Sequence, residues 1–421
     1  MNGADPARRA AEQAARTSYG RLVALLAART GDIAGAEDAL AEAFAAALRH
    51  WPERGVPRNP DAWLFTAARR TLMNEGRHRG VRDDAVADLL LRIKEDAASA
   101  REPGVPDERL KLLFVCAHPA IDAAIRTPLM LQTVLGLDAG RIGAAFLIAP
   151  ATMGQRLVRA KAKVRDAGIR FAVPEPEELA PRLADVLDAV YAAFGAGWDA
   201  LDPFDAAAHG LADEAIYLGR LLVALLPEEP AAKGLLALML HCEARRAARR
   251  DAQGRFVALE RQDAALWSRD LIVEAEALIV AAARTGRFGR YQCEAAIQSV
   301  HAQRPLIGRT DHAALLTLYD LLLARAPSAG AAVSRAAVIL GSGRPDAALT
   351  SLDATAEAFR VDAHQPYWAA RAHALAALDR RDEAADAFRR AAGLSTDPAV
   401  RAHLLSQVPV GAPGSTAARP A

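Results

Sequence analysis

Cysteine is scarce. Three thiols, Cys116, Cys242 and Cys293, are scattered through 421 residues with no Cys-x-x-Cys pair. This excludes a disulfide scaffold and a cysteine-rich zinc site, and it fits a reducing compartment. Aromatic residues make up only 5% of the chain although 52% is hydrophobic, so alanine and leucine carry the apolar content. Both are strong helix formers, and an all-α fold is expected. Apolar runs such as 221–226 and 235–240 are far shorter than the roughly 20 residues of a membrane span. The opening residues, Met1–Gln13, have no apolar core of the kind a secretory leader needs, so a cytoplasmic location without membrane contact is expected. Neither sign of charge dominates: 52 basic residues face 51 acidic ones. There is no Gly-rich phosphate loop, Gly-x-Ser-x-Gly or His-Glu-x-x-His, and the ten histidines are dispersed. The reading is therefore of a non-enzyme with no metal, cofactor or small-molecule substrate. Two Cys–His neighbours, Cys116 with His118 and His241 with Cys242, are read as core packing rather than nucleophile pairs.

Charge does appear once the chain is cut into segments. Residues 66–82 carry Arg69, Arg70, Arg77, Arg79 and Arg82 against one acid, Glu75. Residues 151–165 carry Arg156, Arg159, Lys161, Lys163 and Arg165 and no acid. Between them, 81–106 reads as an acidic linker, partly helical around Asp88–Lys94. Val173-Pro174-Glu175-Pro176 marks a second boundary. The expected organisation is a helical bundle over 10–80, the linker, a helical domain over 107–170, a helical extension over 178–406 and a disordered tail over 407–421.

Gly31-Asp32 predicts a helix stop followed by a cap, and Leu40, Phe44 and Leu48 predict one apolar stripe on the helix that follows, ended by Trp51-Pro52. Asn59-Pro60 opens another helix, expected to bury Trp63, Leu64 and Ala67 and to expose its basic residues. Asp138–Phe146 predicts a short helix, 147–149 a tight turn, and Pro150 the first position of the next helix. On that helix Leu157 and Val164 face inward while Thr152, Gln155, Arg156 and Arg159 face out. This is the pattern of a helix-turn-helix, in which amide and guanidinium groups read base edges and lysines hold phosphates; an ordinary helical hairpin with a basic face has the same pattern. In the C-terminal third, 343–348 is echoed by 379–384, 36 residues on, and Trp368, Leu375, Ala384, Phe388 and Ala391 suit a tetratricopeptide helix pair. Arg245, Arg246, Arg249, Arg250 and Arg255 form an Arg-rich segment, read as solvated surface, with contact to the acidic linker or an acidic partner as the alternative.

Residues 31–44 (GDIAGAEDALAEAF) and 59–79 resemble region 2 of the extracytoplasmic-function (ECF) sigma factors, and 138–165 resembles their region 4. Residues 107–120 (DERLKLLFVCAHPA), with 213–216, 234–240, 291–297 and 318–322, are similar to the ECF subgroup that carries a tetratricopeptide-like (TPR) extension. The resemblance implies a sigma-70-type factor that binds core RNA polymerase and promoter DNA. It implies that Glu37, Asp38, Leu40, Glu42 and Phe44 belong to the polymerase-docking helix. Arg69, Arg70, Asn74, Arg77 and Arg79 would form the −10 surface, and Thr152, Gln155, Arg156 and Arg159 the −35 reader, with Lys161 and Lys163 on phosphates. It also implies a functional link to a small YCII-like (DGPF) protein encoded nearby. Asn74 stands where aspartate is common in that family, and Arg141 and Ala151 stand where glutamate is typical. The alternative reading is a sigma-like adaptor or repeat scaffold that binds polymerase or another protein without reading promoters.

Overall fold

Leucine and alanine build the helices of the described residues, and polar residues and glycines decide where many of them start and stop. The computed structural model describes residues 4–78, 108–146, 148–198 and 206–409. Among these the fold is all-α, and extended pairing is confined to a bridge between Arg250 and Phe256. Arg79, the linker 81–106 and the tail beyond 409 lie outside the described residues. The chain divides into two compact units, Met1–Leu221 and Leu222–Ala421.

The first unit begins with α1 (Ala4–Thr17), α2 (Tyr19–Thr30), α3 (Ile33–Arg54) and α4 (Pro60–His78). Gly31, at φ 69°, closes α2 by donating its N–H to Ala27 O, and Asp32 caps α3 by accepting from Gly35 N at 3.1 Å. Trp51-Pro52 does not end α3. The helix runs through Pro52 to Arg54 and stops at Gly55, whose φ of 83° turns the chain away. A proline in the last turn removes one backbone donor, whereas the reversal itself needs a residue free to take positive φ. Asn59 caps α4 by accepting from Ala62 N at 3.0 Å.

Next come α5 (Arg109–Cys116), α6 (Ala123–Thr133), α7 (Ala139–Ala145), α8 (Pro150–Asp166), α9 (Pro176–Trp198) and α10 (Ala206–Leu225), the last crossing the unit boundary. Six consecutive residues of α2, Leu22–Ala27, are buried. A helix apolar on every side needs cover on every side. Here α1, α3 and α4 supply part of the cover, and α5 and α6 supply the rest. Residues 108–166 therefore share a core with the N-terminal bundle. The contact is close enough that a Cβ added at Gly20 would lie 1.9 Å from Val134 O. α9 also packs on α5 and α6, burying Leu183, Val186 and Val190, and Arg126 donates to Asp185 at 2.8 Å. The extension expected from 178 thus begins with a helix that completes the first unit. Buried Arg109 pairs with Glu214 of α10 and stacks on the Tyr217 ring at 5.0 Å.

The second unit contains α11 (Pro230–Ala244), α12 (Arg269–Ala283), α13 (Arg290–Ala302), the one-turn α14 (Arg304–Ile307), α15 (His312–Arg325), α16 (Ala329–Gly341), α17 (Pro345–Ala358), α18 (Gln365–Ala377), α19 (Arg381–Leu394) and α20 (Pro398–Ser406). The 36-residue echo is structural: Gly343 (φ 80°) and Asp379 (φ 58°) make the same left-handed turn into α17 and α19. Ala348 and Leu352 after the first turn, and Ala384 and Phe388 after the second, enter one core. The Arg-rich segment is not a free surface. Arg245 is buried and bonds His241 O and Gln298, Arg246 pairs with Glu243 at 2.6 Å, and Arg250 holds Asp397 at the start of α20. Arg255, exposed, pairs with Asp251.

His241, 1% exposed on α11, sits among α12 and α13. Its Nε2 is 3.4 Å from Glu276 Oε1, which accepts from Ser299 Oγ at 2.6 Å, and neither of its ring nitrogens has a hydrogen-bond partner. Burial, reinforced by Arg245, lowers its pKa from 6.5 to about 4.

Two predictions follow from this packing. Gly20→Ala should cost about 3 kcal/mol, because the new methyl meets backbone that cannot yield, whereas Gly195→Ala, with nothing within 4 Å, should leave the urea midpoint unchanged or raised. His241 stays neutral in the fold while the unfolded chain takes up its proton, so the stability it confers is full above pH 6.5 and declines as the pH falls toward 4. His241 should contribute up to about 1.4 kcal/mol per pH unit, beside a like contribution from half-buried His301, whose pKa is also lowered to about 4. Urea melts between pH 7.5 and 4.5 should show a combined slope that is reduced by about half in His241→Gln.

Candidate functional site

Three surfaces of the first unit carry the residues singled out by the sequence. On α3 the core face is Ile33, Ala36, Leu40, Ala43, Ala47 and Trp51. Leu40 is fully buried, which removes it from any docking surface. The supposed stripe Leu40, Phe44, Leu48 drifts from buried through half-buried to 50% exposed. The reason is geometric: a spacing of four overshoots the 3.6-residue turn by about 40° each time. Asp38 and Glu42 are exposed, one turn apart.

On α4 Leu64 is buried as expected, but Ala68 rather than Ala67 continues the inner face, and Trp63 and Ala67 are only half-buried. Trp63 meets Trp51 edge to face at 5.5 Å, tying α4 to α3. Asp61 accepts from Ser18 at 2.8 Å and pairs with Arg21, anchoring α4 to α2. Arg70 and Asn74 are exposed, Arg69 is half-buried, and Arg77 falls in the last turn of α4. Arg29 lies over the Phe65 ring at 5.1 Å, and burial together with neighbouring Arg69 lowers its pKa.

The third surface is the α7–α8 pair. Asp138 caps α7, accepting from Gly140 N and Arg141 N at 2.8 and 2.9 Å. The turn folds back so tightly that Ile148 N reaches Gly143 O at 2.8 Å, and a Cβ at Gly143 would lie 2.6 Å from Ile148 O. Only glycine fits there without moving the turn. Pro150 starts α8, where its missing N–H costs nothing. Met153, Leu157, Ala160 and Val164 are buried, and Thr152, Gln155, Arg156, Arg159 and Lys163 are exposed. These exposed amide, guanidinium and ammonium groups are the right chemistry for base edges and phosphates.

Lys161 departs from the expectation. It is only 8% exposed, and its Nζ donates to Glu37 Oε2 of α3 at 2.5 Å. Arg165, one turn on, approaches Asp32 at 3.8 Å. Burial pushes the Glu37 carboxyl up and Lys161 pulls it back. Lys161 follows Leu157 by four residues and precedes Val164 by three, so the inner face of α8 includes it. That spacing was the available signal.

Residues 15–81 match the family Sigma-70 region 2, and residues 182–283 match a Family of unknown function (DUF6596). The chain is 38% identical over 378 residues, 89% of each sequence, to the "Uncharacterized protein R00370" of Rhizobium meliloti (strain 1021). The chain belongs to that protein's family, and its N-terminal bundle is a sigma-70 region 2. No solved structure matches it.

The sigma-70 region 2 takes in only the last three residues of α1 and all of α2–α4, so the acidic edge of α3 and the basic face of α4 lie within it. The DUF6596 match starts in α9, in the first unit, and runs through α12 in the second. Beside the region 2 core, Cys116 is a packing residue: its Sγ lies 3.5 Å from Thr133 Oγ1, and burial drives the thiol up to about 12. His118 spends its Nδ1 on Ala120 N. Among the described residues no helix is long and apolar enough to cross a membrane, and no group of three or more His, Cys, Asp and Glu is placed to hold a metal.

Proposed function

We propose that the chain is a sigma factor of the ECF type. In this reading region 2 docks on core RNA polymerase through the Asp38–Glu42 edge of α3, with Phe44 beside it. The basic face of α4, with Arg69, Arg70, Asn74 and Arg77, meets the melted −10 strand. The α7–α8 pair is a helix-turn-helix that reads the −35 element through Thr152, Gln155, Arg156 and Arg159, while Lys163 takes a phosphate. The second unit is a TPR-like extension that regulates initiation, a role suited to helical hairpins such as the two whose entry turns, at Gly343 and Asp379, lie 36 residues apart. The single observation that carries the reading is the union, on one core, of a sigma-70 region 2 with a tightly turned helix pair that exposes Gln155, Arg156 and Arg159 on one helix. No bond is broken by this chain; recognition is its chemistry.

Docking is tested by pull-down of core RNA polymerase. Asp38→Lys with Glu42→Lys should abolish capture at unchanged helical content, and undiminished capture would refute the docking face. DNA reading is tested by footprinting the holoenzyme. Arg156→Ala should relax base preference upstream, at about 1–3 kcal/mol per lost contact. Lys163→Ala should weaken all sequences alike and reduce the salt slope by about one. An upstream footprint indifferent to both would show that α8 does not read DNA.

A further inference from the structure

The helices α11 and α12 are each 15 residues long and mostly apolar, yet the fold uses them differently. Eleven residues of α11 are buried, against only Ala275 and Ala282 of α12. A helix apolar on most of its sides ordinarily sits inside a protein. On α12, however, Val273 is 60% and Val280 51% exposed, and Ala277 between them is exposed as well. Leu266, just before the helix, is also exposed. Among the described residues nothing covers this face.

The exposed residues of α12 are spaced by seven. Asp270, Ala277 and Arg284 form one row, and Val273 and Val280 form a second beside it. Two such rows make the seam along which helices pair, each row drifting only about 20° per heptad. The first row reads acid, small residue, base, with Ala277 midway. Turned end for end about Ala277 it reads base, small residue, acid. Two copies laid antiparallel across a two-fold axis at Ala277 therefore set Asp270 of each against Arg284 of the other, twice. The alanine at the centre lets the helix axes approach to about 8 Å, with the valines on either side. A parallel pair would set acid against acid and base against base, so charge selects the antiparallel arrangement. The helix dipoles select it too, since unlike ends then lie side by side. Other exposed arginines of this unit are paired within the chain, Arg335 with Asp320, Arg380 with Glu383 and Arg389 with Asp386. Among the described residues Asp270 and Arg284 have no such ion pair.

We propose that the outer face of α12 is a self-pairing surface whose occupant is a second copy of this chain, joined antiparallel about Ala277 with reciprocal Asp270–Arg284 bridges. One helix face is small beside the roughly 800 Å² per partner of a standard interface, so the dimer should be reversible and should form as concentration rises. The pairing does not rest on the sigma-factor reading: α12 belongs to the second unit, and the residues assigned to polymerase and DNA belong to the first.

The test is sedimentation of the full chain across a concentration series, where a monomer–dimer equilibrium is expected. Asp270→Arg and Arg284→Asp each turn both bridges into like-charge pairs, and each should weaken association about tenfold. The two changes combined restore opposite charges and should restore the dimer. Both positions are exposed, so helical content should stay constant in all three variants. Disulfide trapping reads the geometry. Ala277→Cys lies on the two-fold axis and should cross-link to itself on oxidation. Chains with Asp270→Cys should cross-link to chains with Arg284→Cys when the two are mixed, with the second bridge still intact. Neither should cross-link to itself, because 14 residues of helix hold like positions about 21 Å apart. A chain that stays monomeric at every concentration would overturn the proposal and leave α12 to a different protein. A dimer indifferent to both charge reversals would also overturn it, and so would self-cross-linking at position 270.

Discussion

The first unit depends on one helix that has no solvent side. Leu22, Val23, Leu25 and Leu26 of α2 are each under 5% exposed. Each such side chain is worth about 1.5–3 kcal/mol when removed from water. That term is large compared with any surface ion pair in the molecule. It requires helices on every side of α2, and the chain supplies them from two stretches separated by 79–107. The placement of region 2 beside α5 and α6 is therefore set by apolar burial. The charged faces of α3, α4 and α8 are carried along by that packing, and their own charges did not choose it.

Arginine does a second kind of work, and it does so away from α4 and α8. Arg109 buries its guanidinium against Glu214 and Tyr217, and Arg126 reaches Asp185. In the second unit Arg304 donates to Leu259 O and Gln262 O at 2.9 and 3.0 Å while covering the Trp267 ring. Arg250 spans 147 residues of sequence to reach Asp397. A planar guanidinium can satisfy backbone carbonyls or a carboxylate while its face stacks on an aromatic ring, which lysine cannot do. Irregular segments such as 245–268 are held in this way, by donors that meet carbonyls no helix supplies.

These two roles explain what the sequence disclosed and what it hid. Local signals were legible: Gly31-Asp32, Asn59-Pro60, Asp138 and Pro150 stop, cap or start helices where expected, because such signals act within a few residues. The inward set Leu157 and Val164 on α8 was legible from period alone. Lys161 was not read as part of that set, because a positive residue in a positive run looks solvated until a distant acid is brought to it. The same holds for Arg245 and Arg250, whose partners lie 53 and 147 residues away. Leu48 was misplaced for a different reason: a strict spacing of four cannot stay on one face of an α-helix. The 36-residue echo was visible as residue types, but its structural content, a left-handed turn shared by Gly343 and Asp379, required backbone angles. Asp can take the place of Gly there because its short polar side chain tolerates that conformation better than most.

The choice of a buried ion pair between α3 and α8 has a physical consequence of its own. A methionine facing a leucine would fill the same space and avoid the desolvation of two charges, so stability alone does not select Glu37 and Lys161. An apolar pair, however, would have no use once separated, because each partner would then expose hydrocarbon to water. A carboxylate and an ammonium are each well solvated when apart, so separation returns much of what burial took away. A contact built from charge is thus one whose two sides are both compatible with water and with other charged surfaces. The apolar contact around α2 lacks that property. The first unit therefore joins two kinds of internal contact, one that is costly to open and one whose members can be exchanged. The second lies between the two helices that also carry the exposed acids Asp38 and Glu42 and the exposed bases Arg156 and Arg159.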